Sequence, residues 1–357
     1  MKLRAIKFGA PLSVFILAYF AFTNTGWIIS TPMLYAFAFI PLVELVVPAK
    51  TTNLSIAEEE MEKKDRLYDY WLYLIVPIQY CSLYFFLQST QVGSLTSIEL
   101  MGRIFVMGLL CGTFGINVGH ELGHRKNLYE RNLAKALLLS SLYMHFYIEH
   151  NQGHHKNVST KEDPSSARRG EPIYLFYFRT IILGYFSAWK IAATDQRKKS
   201  RPILHFSNQM IQFQLLQLVL ISIVFILFGW KTMLYFIAAA SIGFLLLETV
   251  NYIEHYGLER EKNSSGNYER TLPIHSWNSN HILGRLMLFE LSRHSDHHYM
   301  ASRKYQLLRH HENAPQMPTG YPGMMILSLI PPIWFSIMNK RIDDFRLHHQ
   351  EILSAPK

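Results

Sequence analysis

Between Lys7 and Glu44 the chain carries no Asp, Glu, Lys or Arg, and the same holds between Asp69 and Glu99 and between Arg201 and Lys231. A charge-free stretch of about 18 or more residues is long enough to cross the hydrocarbon core of a bilayer as a helix, and each of these is longer. A hydrophobic fraction of 49% would suit a soluble domain if it were scattered, but here it is gathered into these runs. The pattern argues against an ordinary soluble globule and predicts an all-α, multi-pass integral membrane protein.

The first run, from Phe8 to Val43, would measure about 54 Å as one helix at about 1.5 Å per residue, against a hydrocarbon core of roughly 30 Å. It has to turn, and Thr23-Asn24-Thr25-Gly26 is the polar break at which it does so. About six transmembrane helices follow, over about 8–22, 31–47, 70–87, 100–119, 210–228 and 232–250, the last two hinged at Gly229-Trp230-Lys231. With a cytoplasmic N-terminus, Lys231 is the sole Lys or Arg in the external turns, whereas Arg168-Arg169 and Arg197-Lys198-Lys199 fall inside, as the charge bias of membrane proteins requires. Leu133 to Ile148 is read as non-crossing, because a crossing would put His120 and His150 on opposite sides of the bilayer. Met324 to Met338 is interrupted by Pro331-Pro332 and is too short to span. No repeat or low-complexity linker divides the chain, so a single domain over 1–357 is expected, with cytoplasmic catalytic segments at 120–205 and 251–357.

The net charge of +9 comes without any nucleic-acid recognition motif, and its first reading is anchoring to the cytoplasmic leaflet. Cys81 and Cys111 are the only cysteines, which excludes a disulfide framework, a four-cysteine zinc site and a built-in iron–sulfur carrier. Electrons used by this chain must come from another molecule.

Nine of the 17 histidines fall in four groups: His120 and His124 in HELGH, His150, His154 and His155 in EHNQGHH, His255 in NYIEHYG, and His294, His297 and His298 in RHSDHH. Spacings of three and four place side chains on one face of a helix, within reach of one metal ion. Nine imidazoles exceed what one ion accepts, so the count points to two, and imidazole alone leaves zinc, copper, iron and nickel open. Glu121, Glu149, Glu254 and Asp296, interleaved with the histidines, are candidates to accept the second ring N–H of ligating imidazoles. The other eight histidines, including His311, His348 and His349, lack this grouping.

The motifs NVGHELGHRK, HFYIEHNQGHHKNVSTKEDPSSAR, NYIEHYGL, HSWNSNH and RHSDHH with KYQLLRHHENAPQMPTGYPGM resemble, in order, those of the membrane-bound alkane 1-monooxygenases, within the membrane fatty acid desaturase and hydroxylase superfamily. The resemblance implies that the nine grouped histidines hold two irons and that the chain uses dioxygen to hydroxylate the terminal carbon of a medium- or long-chain alkane to a primary alcohol. It further implies electrons from a separate rubredoxin with its reductase, and residence in a bacterial-type cytoplasmic (inner) membrane with both termini cytoplasmic. Arg168, Arg169, Arg197, Lys198 and Lys199 are candidates for rubredoxin docking or, equally, for binding anionic lipid. Related readings are a fatty-acyl desaturase or hydroxylase and an aryl-methyl hydroxylase; a membrane metal transporter is the distant one.

The chain departs from the family pattern near the last histidine group. Where FHLQRHSDHHA is usual, Glu290, Ser292 and Tyr299 stand here, and Ile274 replaces a usual His. On the second helix, Ala36 and Glu44 are expected to line the substrate channel, since eight residues bring them within about 80° on an ideal α-helix.

Overall fold

The computed structural model describes residues 2–354, with the side chains of 2, 3 and 348–354, those of His348 and His349 included, outside the description. The described residues are helical apart from connecting loops and two isolated bridges, Lys262 with Tyr268 and Asn278 with Gln316. Among the described residues, five helices are long and apolar enough to cross a membrane. They are α1 (Arg4–Thr23), α2 (Gly26–Val46), then, after the short α3 (Ile56–Lys64), α4 (Leu67–Ser89), α5 (Ser97–Gly123) and, further along, α8 (Gln209–His255). At 47 residues α8 is too long for one crossing, and it breaks at Gly229, whose φ of 80° and ψ of 171° suit only a residue without a Cβ. The break makes two antiparallel legs and brings the crossings to six.

Between the crossings lie α6 (Leu128–Ser140) and α7 (Ile173–Lys198), and after them α9 (Ile282–Met287), α10 (His294–Tyr299), α11 (Tyr321–Ser328) and α12 (Pro331–Ser354). The apolar stretch from Leu133 does not cross: α6 has 13 residues, about 20 Å of helix, and the chain leaves it through Leu142 at φ 51°. The 26-residue α7 is not marked out by the charge-free criterion, because Arg179, Lys190 and Asp195 interrupt its apolar residues.

The polar residues at the end of the bundle away from the histidines each have a task. Thr96 and Glu99 form a capping box at the start of α5, and the Glu99 carboxylate also accepts the Gly26 N–H at 2.7 Å. One turn on, buried Arg103 donates to the carbonyls of Asn24 and Ser89, both at 2.7 Å, so it closes the C-terminal ends of α1 and α4 together.

The core of the bundle is α5 against the second leg of α8, and small residues let them approach. A Cβ on Gly108 would lie 2.5 Å from Ile242 Cγ2, and one on Gly243 would lie 2.5 Å from Cys111 Cβ. This is the small-residue seam by which membrane helices pack where lipid is as apolar as any side chain. Gly243→Val is expected to force the helices apart and lower stability by about 1–3 kcal/mol. A lowered melting temperature of the detergent-purified protein by size-exclusion thermal scan tests this, and an unchanged one would refute the seam.

Candidate metal centre

The first histidine pair comes from α5. Its Cys111–Ile116 segment is a π-turn, closed by the Asn117 N–H on the Gly112 carbonyl, after which Asn117–Gly123 resumes α-helix and carries His120 on its buried face, with His124 directly after it. The four-residue spacing puts both rings in one group, as the helical period requires.

The EHNQGHH segment works differently. Glu149–His154 is also a π-turn, in which the His155 N–H reaches the His150 carbonyl five residues back. This brings His150 and His155 together, Nε2 to Nε2 at 3.0 Å, while His154 points into a separate group. The α-helical spacing argument, which pairs His150 with His154, therefore fails here. Gly153 makes the turn feasible, since a Cβ there would lie 2.6 Å from Glu149 Oε1. On α10 the three histidines divide as well: His294 and His298, four apart, share one group, and His297 faces the other.

All nine grouped histidines meet in two clusters, His120, His124, His150, His155 and His297 in one, and His154, His255, His294 and His298 in the other. Within each, the candidate ligand atoms lie within 4.8 Å of one another. Nearest Nε2 pairs are 2.9 Å for His120 and His297, 3.1 Å for His155 and His297, and 3.2 Å for His154 with His298 and for His255 with His294. Nitrogens about 3 Å apart are what cis ligands at about 2.1 Å from one ion produce. Burial, reinforced by the Arg125 charge, pushes the pKa of His124 down to about 3, and burial reinforced by the neighbouring rings holds those of His150, His155, His294, His297 and His298 well below the ordinary histidine range. These rings are therefore neutral, the form that ligates metal.

The interleaved carboxylates are placed as helix geometry demands. A residue next to a ligand points about 100° away from it, so Glu121 turns to Arg125 at 2.8 Å and to the Tyr305 N–H at 3.2 Å. Asp296 accepts from Arg303 at 2.9 Å and the Arg309 N–H at 3.0 Å, and lies 2.7 Å from His311 Nε2, which gives that ungrouped histidine a role in the structure. Glu149 meets the Ser187 hydroxyl at 3.5 Å. None of these three touches a grouped ring nitrogen, and they brace the frame instead. Glu254 alone does so, with Oε2 3.1 Å from His294 Nε2.

The residue that spacing does not reveal is Asp163. It is buried, reached by a chain reversal after the second histidine group, and its Oδ2 lies 2.9 Å from His154 Nδ1 while also accepting from the Ser166 hydroxyl at 2.6 Å. Burial opposes charge on His154, but the Asp163 carboxylate outweighs it and raises the ring's pKa; the same contact holds Asp163 low against its own burial. An Nδ1–H committed to Asp163 leaves the Nε2 lone pair aimed into the cluster. The signal was present in the motif as the KED of NVSTKEDPSSAR, nine residues from its partner.

The centre has two unlike flanks. On one, an apolar cavity has His120, His150, His294 and Glu254 at its metal end and Ala36, Phe37, Ile40 and Leu109 further into the bundle. On the other, His124 stands in the wall of a polar groove with Arg125, Lys126, Asp69 and Lys304. Ala36 lines the cavity, but Glu44 is not part of the lining: its Oε1 accepts the Gly284 N–H at 2.7 Å in the first turn of α9. Near the end of α2, Glu44 is instead packed against the starts of α9 and α11, where a Cβ on Gly284 would lie 2.9 Å from its Oε1 and one on Gly320 would also meet its carboxylate.

Residues 100–328 match the fatty acid desaturase family. The alkane 1-monooxygenase of Pseudomonas putida is 37% identical over 321 residues, 89% of this chain and 80% of that one. The chain belongs to the alkane 1-monooxygenase family. Alkane 1-monooxygenase 1 of Pseudomonas aeruginosa is 45% identical over 242 residues, 68% of this chain but only 63% of its own length, less than two thirds. The xylene/toluene monooxygenase hydroxylase component XylM of Pseudomonas putida is 30% identical over 75% of this chain and 72% of that one.

Against the usual family pattern, the departures fall outside the clusters. Glu290, at φ 60°, pairs with Arg285 at 2.6 Å, the Ser292 carbonyl accepts the Ser279 N–H at 2.8 Å, and the Tyr299 ring lies 5.8 Å from that of His311. They shape the loop that presents α10. Asp163→Asn is expected to weaken metal retention by about 10–100-fold, the usual cost of losing a carboxylate behind a ligating ring. Chelator titration followed by elemental analysis measures it, and wild-type retention would remove Asp163 from the site.

Proposed function

We propose that the chain hydroxylates the terminal carbon of a medium- or long-chain linear alkane to a primary alcohol, using dioxygen at two irons held by the nine histidines, with electrons from a separate rubredoxin and its reductase. The observation that carries this reading is the double histidine cluster standing at the end of an apolar cavity inside a membrane bundle. The donor set fits: nine ring nitrogens converge in two groups, and the flanking cavity offers hydrocarbon surroundings to an alkyl chain. Bound there, the irons would supply the activation of dioxygen that no side chain of the protein can perform.

The protein's own residues do the rest. The apolar walls, Phe37, Ile40 and Leu109 among them, bind and align an alkyl chain taken from the bilayer, and exclude water from the end that reacts. His120, His150 and His294 bring the metal groups to the cavity wall, so the reacting carbon is the chain's leading end. Asp163 and the frame of Glu121, Asp296 and their arginine partners hold the rings in register. His124, on the polar side, gives the electron donor its nearest approach. The orientation that suits this division places the histidine end, and both termini, on the cytoplasmic side of the inner membrane. An aryl-methyl or fatty-acyl substrate would use the same geometry, and product analysis separates them.

His154→Ala and His297→Ala each remove a ligand from a different cluster and should lower iron content and abolish turnover. Incubation of the purified protein with linear alkanes, rubredoxin, reductase and ¹⁸O₂ should give a primary alcohol carrying the label. Zinc in place of iron after purification without added metal, with no labelled product, would favour the transporter reading. Ala36→Trp should plug the deep end of the cavity and shift preference to shorter alkanes, with iron content unchanged. A uniform loss at every chain length would show Ala36 to be a packing residue.

A further inference from the structure

The two faces of α7 are both largely apolar over most of its length, and only one of them is covered. The buried face is a four-residue stripe of Phe176, Thr180, Gly184, Ala188, Ala192 and Gln196. The opposite face carries Tyr174, Leu175, Phe178, Ile182, Leu183 and Phe186, which are 48–70% exposed.

The partners of the buried stripe fix how the helix lies. Near its start, the Tyr177 hydroxyl is 2.6 Å from that of Thr249, and the Thr180 hydroxyl donates to Glu248 Oε2 at 2.9 Å, both on the second leg of α8. Near its end, Ala188 and Ala192 share a buried cluster with Met210 and Phe213 on the first leg. All four α8 residues lie about 24–30 Å along their legs from the reversal at Gly229. A helix that meets both legs at the same height runs across them, in the plane of the membrane at the histidine end.

What surrounds the outer face at that height follows from three further observations. The α11–α12 corner continues the patch: the Tyr174 hydroxyl donates to the Leu329 carbonyl at 2.7 Å, and Ile326, Leu329, Ile330 and Ile333 are exposed there. Along the same line of α7, the apolar residues give way after Phe186 to exposed Lys190 and Thr194, and the helix ends in exposed Arg197, Lys198 and Lys199. The first leg of α8, which the end of α7 crosses, shows its own row of exposed Leu215, Leu216, Leu218 and Val219. An apolar face continuous with membrane-spanning surface and finishing in cations is complementary to acyl chains beneath anionic headgroups.

We propose that α7 is an in-plane membrane helix, with its outer face and the α11–α12 corner sunk among the acyl chains of the leaflet at the histidine end and its basic terminus against anionic headgroups. This assigns Arg197, Lys198 and Lys199 to lipid rather than to an electron donor. It rests on the multi-pass fold and not on the reaction, so it stands or falls separately from the activity.

Single cysteines at Phe178, Ile182 and Thr194, in the Cys81→Ser background with Cys111 left buried, carry a bimane label in the intact protein reconstituted into phosphatidylcholine–phosphatidylglycerol vesicles. The label at 178 and 182 is expected to lose emission to lipid brominated on its acyl chains and to resist aqueous iodide, with the opposite response at 194. Iodide quenching at 178 and 182 would overturn the proposal in favour of a water-facing helix. Protection from both quenchers would overturn it in favour of a second copy of the chain covering the face. Reconstitution from phosphatidylcholine alone should shift the label at 194 less than at 178 when phosphatidylglycerol is restored only if the basic end does not touch headgroups; a larger shift at 194 is the expected result.

Discussion

Everything in this fold answers to the convergence of nine imidazoles, seven of them buried. A neutral ring offers one donor and one acceptor, so rings that meet through their Nε2 atoms need their protons placed outward and a cation inward. His154 shows how the outward half is met, through Asp163, and the 2.9–3.2 Å separations of the Nε2 atoms show the inward half. A set of this kind cannot be held by loops. It is anchored on the ends of α5 and α8, whose close glycine-lined contact fixes the height of His120 against His255.

The two flanks of the centre divide the labour that the chemistry imposes. In the proposed reaction a hydrocarbon arrives from the bilayer and a reductant from water, and each has to reach the same atoms. The apolar cavity ends on His120, His150 and His294, while the polar groove reaches His124. The ion pairs of Arg125 and Lys304 with Asp69, at 3.2 and 2.7 Å, tie the wall of that groove to α4, so the segment after α10 is held over the centre. The charged residues there serve as a lid frame before they serve any partner.

Much of this was legible in the sequence, and the parts that were not share a cause. Charge-free runs revealed the long apolar helices because the bilayer tolerates few charges, and the four histidine groups pointed to the residues that converge in the two clusters. What failed was the assumption of a uniform helical period. Three π-turns, at Tyr35–Phe39, Cys111–Ile116 and Glu149–His154, each add a residue to the turn, and the last of them divides between two clusters the histidines that a four-residue spacing would keep together. The role of Asp163 was hidden because it depends on a chain reversal, and α7 was hidden because its charges sit on an in-plane helix that no span criterion seeks.

The reversal at Gly229 occupies a single residue, with no loop to take up slack. The second leg, from Trp230 to His255, therefore acts as a ruler: it rises about 39 Å at about 1.5 Å per residue, against roughly 30 Å of hydrocarbon. Measured from a reversal held at the far surface, an upright leg carries its terminal histidine about 9 Å beyond the acyl chains, into the headgroup layer. Tilting the leg by the usual 20° or so lowers that figure by only about 2 Å. The length of one helix thus sets how far the histidine centre stands above the hydrocarbon.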